Sequence, residues 1–350
     1  MTPISLALRP DQEEFRQMAR EVVAAEAPLR RFRAQRDAGA TADPQLWHRL
    51  VALGWPALPF AEDHGGLGLS MVEVCLATEA LGSTLAQHPL LSTVLVSTLD
   101  PEANAQVGAI VALAWQEDTR TADPFRIRAT HHQGRLTGEK RCVLDAPSAE
   151  SFVVSAWEGD RVGLFRVSAA HATVRPLTRI DHRDVGHVYF DNAPAEPLPV
   201  GLHDLQRALD RGVVALSAEL LGGAEAAFAM TLSWLREREQ FDAPIGSFQA
   251  LQHRAVDLFA ALELSRSAVL GAAAAEAAGA PNASALASLA KVQVDETALR
   301  VGKESIQMFG GIGMTDEHDI GLFYKRAAVV AETLGTAAFH RDRWGRLMGI

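Results

Sequence analysis

Arg238, Gln240, Phe241, Phe248 and Gln249 interrupt a long alanine-rich helical stretch with a pattern that apolar packing does not require. An arginine, aromatic rings and glutamines at fixed offsets, written R-x-Q-F-x-x-P-I-G-x-F-Q, suit recognition of a polar ligand. Farther along, Gln307-Met-Phe-Gly-Gly-Ile-Gly313 ends a second helical stretch with glycines, leaving backbone amides open to close approach. Two polar breaks in one helical region predict one shared site.

The elements that must hold these breaks follow from local pattern. Phe15, Met18, Ala19, Val22 and Val23 have the spacing of an amphipathic helix. Asp43 and Pro44 form an N-cap and first-turn pair, Leu46, Leu50 and Leu53 the apolar stripe, and Gly54 the stop. Ser70 with Glu73 makes a capping box that opens a third helix, closed by Gly82. From Gln106 onward the pattern changes to short runs rich in Val, Ile, Phe and Thr. They are Ile110 to Trp115, Phe125 to Thr130, Phe152 to Ala156, Val162 to Val167 and His187 to Phe190. Separated by Gly134, Gly138 and Glu158-Gly-Asp160, they predict a small antiparallel β domain. After Pro197 the helical period returns. The alanine-rich stretch from Ser265 to Ala290, broken by Glu276, Gly279, Pro281 and Asn282, reads as two helices and a turn. The resulting α+β multidomain order is a helical domain over 1–105, a β domain over 106–198 and a helical bundle over 199–350.

At 350 residues with 48% hydrophobic composition the chain can fill two or three cores. A net charge of -10 argues against a nucleic acid or an anionic membrane as partner, since either needs a basic face. Cys75 and Cys142 lack C-x-x-C spacing and read as small core residues in a reducing, cytoplasmic setting. Early Asp11, Glu13 and Glu14 do not fit a signal peptide, and no uninterrupted apolar run of membrane length is expected. A metal site is not expected. His131 and His132 would alternate across a strand, His182 and His187 lack a third ligand, and His318 in Asp316-Glu-His-Asp319 reads as a polar helix start. Met308, Phe309, Phe323 and Trp344 read as core at helical spacing.

Taken together, the two motifs and the segment from Pro59 to Gly82, with its P-x-x-x-G-G-x-G-hydrophobic-S turn, resemble the acyl-CoA dehydrogenase family. The resemblance runs more weakly through the whole chain. It implies that family's fold and a bound flavin adenine dinucleotide (FAD), whose pyrophosphate is held by an arginine of one subunit and whose adenine end reaches a neighbour's glycine motif. The matching residues are Arg238, Gln240, Phe241, Phe248, Gln249, Gln307, Gly310 and Gly311, with Thr336 also assigned to the cofactor. A guanidinium fork suits a pyrophosphate, and paired glycines permit close approach. Implied partners are an acyl-CoA substrate, an electron-transfer flavoprotein, and further subunits in a dimer or dimer of dimers.

The reactive half of the family pattern is altered. Where the family has T-E-P the chain has Trp115-Gln116-Glu117-Asp118, and where it has W-x-T/S the chain has Cys142 and Leu144. The family Glu-Gly-Thr reads Leu334-Gly335-Thr336 here, and the alternative position of the base falls on Gly212. Glu219, Glu317 and Glu332 are the carboxylates weighed as substitutes, each more simply a solvated or structural group. The catalytic base is therefore unassigned. The expected activity is FAD-linked dehydrogenation of an acyl-CoA to the 2-enoyl-CoA, either by this chain with an unconventional base or by a heteromer in which it is the base-deficient member. A flavin-dependent monooxygenase on the same fold and a non-catalytic structural subunit are the alternatives.

Overall fold

The computed structural model describes residues 7–104, 108–118 and 122–350. Helices α1 (Pro10–Glu26), α2 (Leu29–Asp37), α3 (Pro44–Ala52), α4 (Met71–Gly82) and α5 (Leu90–Val96) come first. Eight strands follow: β1 (Val111–Ala114), β2 (Thr130–His132), β3 (Arg135–Leu144), β4 (Ser151–Glu158), β5 (Arg161–Ser168), β6 (Thr173–Pro176), β7 (Val185–Pro194) and β8 (Glu196–Gly201). The long helix α6 (Leu202–Glu237) leads to a two-stranded hairpin, β9 (Glu239–Gln240) and β10 (Ala243–Pro244). Four helices complete the chain: α7 (Gln249–Ala277), α8 (Ala283–Phe309), α9 (Ile320–Val330) and α10 (Ala337–Met348). The predicted onset of the β region at Gln106 lies outside the described residues.

Local signals act where the sequence places them. Asp43 caps α3 by accepting from the Leu46 amide at 2.9 Å, and Leu46 and Leu50 are buried behind it. Leu53 lies past the helix end and is exposed, its expected place in the stripe taken by buried Trp47. Ser70 and Glu73 form the reciprocal box at the start of α4, the Ser70 amide donating to Glu73 Oε2 at 2.9 Å. That helix is the fourth, because the arginine-rich α2 buries only Phe32 and has no apolar period to betray it.

The chain forms two compact units. One contains Arg30–Val74 and Gln87–Val213 and is built on an eight-stranded sheet ordered β6-β7-β3-β2-β4-β5-β8, with β1 added against β4. The expected all-antiparallel sheet is mixed: β1 pairs parallel with β4, and β2 meets β4 in parallel at Thr130 and Trp157. Long connections separate each of these pairs, which is what parallel pairing requires. Phe152, Val154, Phe165, Val167, Val188 and Phe190 fill its apolar face. The predicted strand from Phe125 to Thr130 is irregular backbone after a turn at Phe125, and only its last residue joins the sheet. The amides of Arg128 and Ala129 donate to the Glu117 carboxylate, at 2.7 and 3.0 Å, rather than to a neighbouring strand.

The other unit contains the chain up to Leu29, Cys75–Ala86 and Val214–Ile350. The Ser265 to Ala290 stretch is the expected pair of helices with a turn, α7 ending at Ala277 and α8 starting at Ala283. Contrary to expectation, α6 and α7 are each long and apolar enough to cross a membrane by length and composition. In α6, 78% of the apolar window is buried inside the protein, so its apolar character is that of a core helix. Gly82 and Gly222 set the approach of α4 to α6: a Cβ at Gly82 would stand 1.8 Å from the Glu219 carbonyl oxygen, and one at Gly222 1.9 Å from that of Glu79. Gly82 thus does more than close a helix. Gly82→Ala and Gly222→Ala should each destabilise the fold by about 1–3 kcal/mol or more through overpacking. Thermal unfolding checks this, and an unchanged midpoint for both variants would contradict the close contact.

Candidate functional site

The first polar break begins where α6 ends. The Arg238 amide makes the last helical bond, to the Trp234 carbonyl at 2.9 Å, and the Arg238 carbonyl accepts from Ile245 at 2.8 Å. Between them β9 and β10 pair in register, Gln240 with Ala243 and Glu239 with Pro244. Phe241 and Asp242 turn the hairpin with φ of 57° and 61°. Positive φ at both central residues is normally left to Asn and Gly, so a phenylalanine there carries local strain. Phe241 is nonetheless 88% exposed, its ring meeting Phe248 edge-on at 6.1 Å. Gln240 and Gln249 are exposed beside it. Arg238 is exposed, has no ion-pair partner among the described residues, and lies 5.6 Å over the ring of Trp234.

The second break begins where α8 ends at Phe309. Gly310 takes φ 69° and ψ −143°, a conformation open to glycine, and a Cβ on Gly310 or Gly311 would meet nothing within 4 Å. A cavity of about 770 Å³ opens here, lined by the glycines with Lys303, Gln307, His318, Tyr324 and Lys325. His318 behaves as the predicted helix start, its Nδ1 accepting from the Ile320 amide at 3.1 Å. Met308, Phe309 and Phe323 are core, as expected. None of residues 238–249 borders this cavity. The two breaks are joined by aromatic packing, Trp234 stacking on Phe309 at 5.0 Å and 19°. The sequence reading passed over Trp234, whose signal was an aromatic ring one helical turn before Arg238.

The third segment is the turn after α9. Leu334 is buried with φ 58°, Gly335 has φ 110°, and Thr336 caps α10, its hydroxyl oxygen accepting from the Phe339 amide at 3.2 Å. His340 holds this turn. The Leu334 carbonyl can only accept, so the imidazole Nε2, at 3.0 Å, carries the proton, and Nδ1 at 3.2 Å accepts from the Ser288 hydroxyl. Burial, then the nearby Lys291 charge, pushes His340 down to about 3. Lys291 and Asp295 form a sealed ion pair, and Lys291 also donates to the Val330 carbonyl at 3.0 Å. Burial pushes Asp295 up to about 6 in spite of that partner. Among the candidate bases, Glu317 and Glu332 are exposed, and Glu219 is buried against Arg326 at 3.0 Å. Gly212 lies within α6.

In the sheet unit, Glu117 at the T-E-P position is buried and receives Lys140 at 2.7 Å. Lys140 is fully enclosed and also donates to Ser155 Oγ at 3.2 Å, and burial pulls it down to about 8. Cys142 sits at the irregularity between Lys140 and Val143 with φ 51°, its amide donating to His187 Nδ1 at 3.2 Å. It is half-buried rather than a core residue, and burial pushes its thiol up. Cys75 is buried, as expected. Leu144 is buried opposite Val185. His131 is buried and His132 exposed, the alternation predicted for that strand. Among the described residues no group of three or more His, Cys, Asp or Glu stands ready for a metal ion.

Comparison with known proteins agrees with this geometry. The descriptions "Acyl-CoA dehydrogenase, N-terminal domain" and "Acyl-CoA dehydrogenase, C-terminal domain" match residues 9–100 and 200–349. Acyl-CoA dehydrogenase IpdE2 of Mycolicibacterium smegmatis is 30% identical over 327 residues, 92% of this chain and 95% of that protein. The chain belongs to the acyl-CoA dehydrogenase family. A solved variant of the Tcur3481–Tcur3483 steroid ACAD superposes on this acyl-CoA dehydrogenase fold with a TM-score of 0.86 at 28% identity, covering 97% of this chain and 98% of that one. The ChsE4–ChsE5 complex of Mycobacterium tuberculosis does so with a TM-score of 0.86 at 25% identity, covering 99% of each chain. Membership makes the protein an oxidoreductase of the flavoenzyme class.

The Leu334 turn has a measurable pH signature. His340 takes up no proton in the fold until pH falls to about 3, while the unfolded chain protonates it near its ordinary 6.5. Its stabilising contribution is therefore present above 6.5 and lost as pH falls toward 3. Urea unfolding midpoints across that window should decline less steeply for His340→Gln than for the unaltered chain. Parallel profiles would contradict the buried neutral imidazole.

Proposed function

We propose that this acyl-CoA dehydrogenase family member takes part in FAD-linked α,β-dehydrogenation of an acyl-CoA thioester as the base-deficient subunit of a heteromer. The observation that carries this reading is a contrast. The polar breaks suit a dinucleotide, while buried Leu334 stands where resemblance to the family's Glu-Gly-Thr motif implies the base. The fit is concrete: Arg238 is an exposed guanidinium with no ion-pair partner among the described residues, and Gly310 and Gly311 have open space where side chains would stand. A pyrophosphate takes the guanidinium fork, and the glycine backbone tolerates close approach. Gln240, Phe241, Phe248, Gln249 and Gln307 are the remaining cofactor contacts in this reading. Thr336 keeps its hydroxyl hydrogen free while its oxygen caps α10.

Bound flavin supplies the acceptor for the β hydride. Leu334 has no titratable atom, so in this reading the α proton leaves to a carboxylate of a partner chain. The paired names Tcur3481–Tcur3483 and ChsE4–ChsE5 support assembly of unlike subunits, and the steroid ACAD among them supports a bulky, sterol-type acyl group. Val256, Phe259 and Leu264 on α7 are more than half exposed, at 65%, 54% and 63%, as a subunit contact requires. The same reading makes an electron-transfer flavoprotein the electron acceptor and, with both cysteines free, the cytoplasm the compartment. The missing carboxylate also suits a flavin-dependent monooxygenase, which oxygen uptake by the reduced flavin would reveal.

The test is the visible spectrum of the chain purified alone, with a panel of acyl-CoA thioesters under anaerobic conditions. Without a base-bearing partner the flavin should bleach only at a slow rate, without general-base assistance. Full dehydrogenase turnover by a homo-oligomer would sink the heteromer reading. Leu334→Glu should raise the bleaching rate on the order of 10²-fold, within the range of general-base contributions.

A further inference from the structure

The two polar breaks are tied together by a column of rings. The Arg238 guanidinium lies 5.6 Å from the Trp234 ring centroid, Trp234 stacks on Phe309 at 5.0 Å, and Phe309 leans on His318 at 4.3 Å. Trp234 stands on the last turn of α6, Phe309 is the last residue of α8, and His318 precedes α9. The indole Nε1 is buried and finds no acceptor among the described residues. Ring packing, with no hydrogen bond from the indole, therefore orients Trp234.

We propose that Trp234 is a positioning residue: clamped between Phe309 and Arg238, it holds the guanidinium in place for an anionic cofactor and fixes it relative to the glycine loop. This rests on the reading of Arg238 as a cofactor contact. A free arginine side chain samples many rotamers, and ordering it on binding weakens the complex. An aromatic face that already attracts the cation removes much of that loss. Phe309 immediately precedes Gly310, so the floor of the column is also the start of the loop that leaves room for close approach. Trp234 does this without touching the ligand itself.

The experiment is calorimetric titration of FAD into the flavin-free chain, with thermal unfolding as the control for folding. Trp234→Leu should weaken binding about tenfold, and Trp234→Phe, which keeps an aromatic face and sacrifices no hydrogen bond, should stay within about threefold of the unaltered chain. A residue that acts only through Arg238 has no effect in its absence. Trp234→Leu should therefore add nothing to the loss already produced by Arg238→Gln. Weakened binding in Arg238→Gln combined with unchanged binding in Trp234→Leu, or losses that add, would overturn the platform and leave the cofactor reading standing. Unchanged binding in Arg238→Gln would overturn both.

Discussion

The helical unit is organised by the contact between α4 and α6, where Gly82 and Gly222 let two backbones meet with no side chain between them. Such an approach buries whatever else those helices carry. Glu79 on α4 and Glu219 on α6 are both buried, and each is neutralised from another helix. Glu79 receives Arg20 of α1 at 3.1 Å and Arg266 of α7 at 3.1 Å, and Glu219 receives Arg326 of α9 at 3.0 Å. Arg266 also reaches Glu225, whose carboxyl is pushed up first by burial and then by the neighbouring Glu79. One glycine contact thus dictates where α1, α7 and α9 must bring their charges. Glu79 keeps one arginine if the other is lost, whereas a buried carboxylate stripped of its cations is far costlier than a broken surface pair.

Set on that frame, the functional regions have different characters. At the end of α6 the chain presents strained, exposed groups: Phe241 and Asp242 in left-handed conformations and Arg238 in solvent. Such strain persists only where surrounding structure imposes it, and here the pairing of β9 with β10 does so. The Leu334 turn is also left-handed, but it is enclosed and fastened by His340. The same left-handed backbone is thus met once in solvent and once in a closed, fastened turn.

Features written in neighbouring residues were legible in the sequence. The Asp43 cap, the Ser70 box, the turn between α7 and α8, and the end of α8 at the glycines each depend on a few adjacent side chains. Features made by distant residues were not. The parallel pairing of β1 with β4 needs knowledge of where the chain returns, and the irregular backbone before Thr130 is held by Glu117 taking the Arg128 and Ala129 amides. Cys142 was read as a small core residue, whereas an irregularity in the pairing of β3 with β7 leaves it half-buried in a left-handed conformation. In the site, the polar residues were visible as motifs. The Trp234–Phe309 stack and the His340 clamp were not, because each joins segments that meet only in the folded chain.

The enclosure of Lys140 and Lys291 has a chemical corollary. The chain has only four lysines, the others being Lys303 and Lys325, and all its remaining fixed side-chain cations are arginines. Two of the four ε-amines are sealed at 0% exposure, and the other two border the cavity beside Gly310 and Gly311. Apart from the terminal amine, electrophiles that seek primary amines meet the folded protein at that one loop. Activated thioesters are such electrophiles, so stray acylation of the fold is focused there, and the extent of modification at Lys140 and Lys291 reports how often the two cores open.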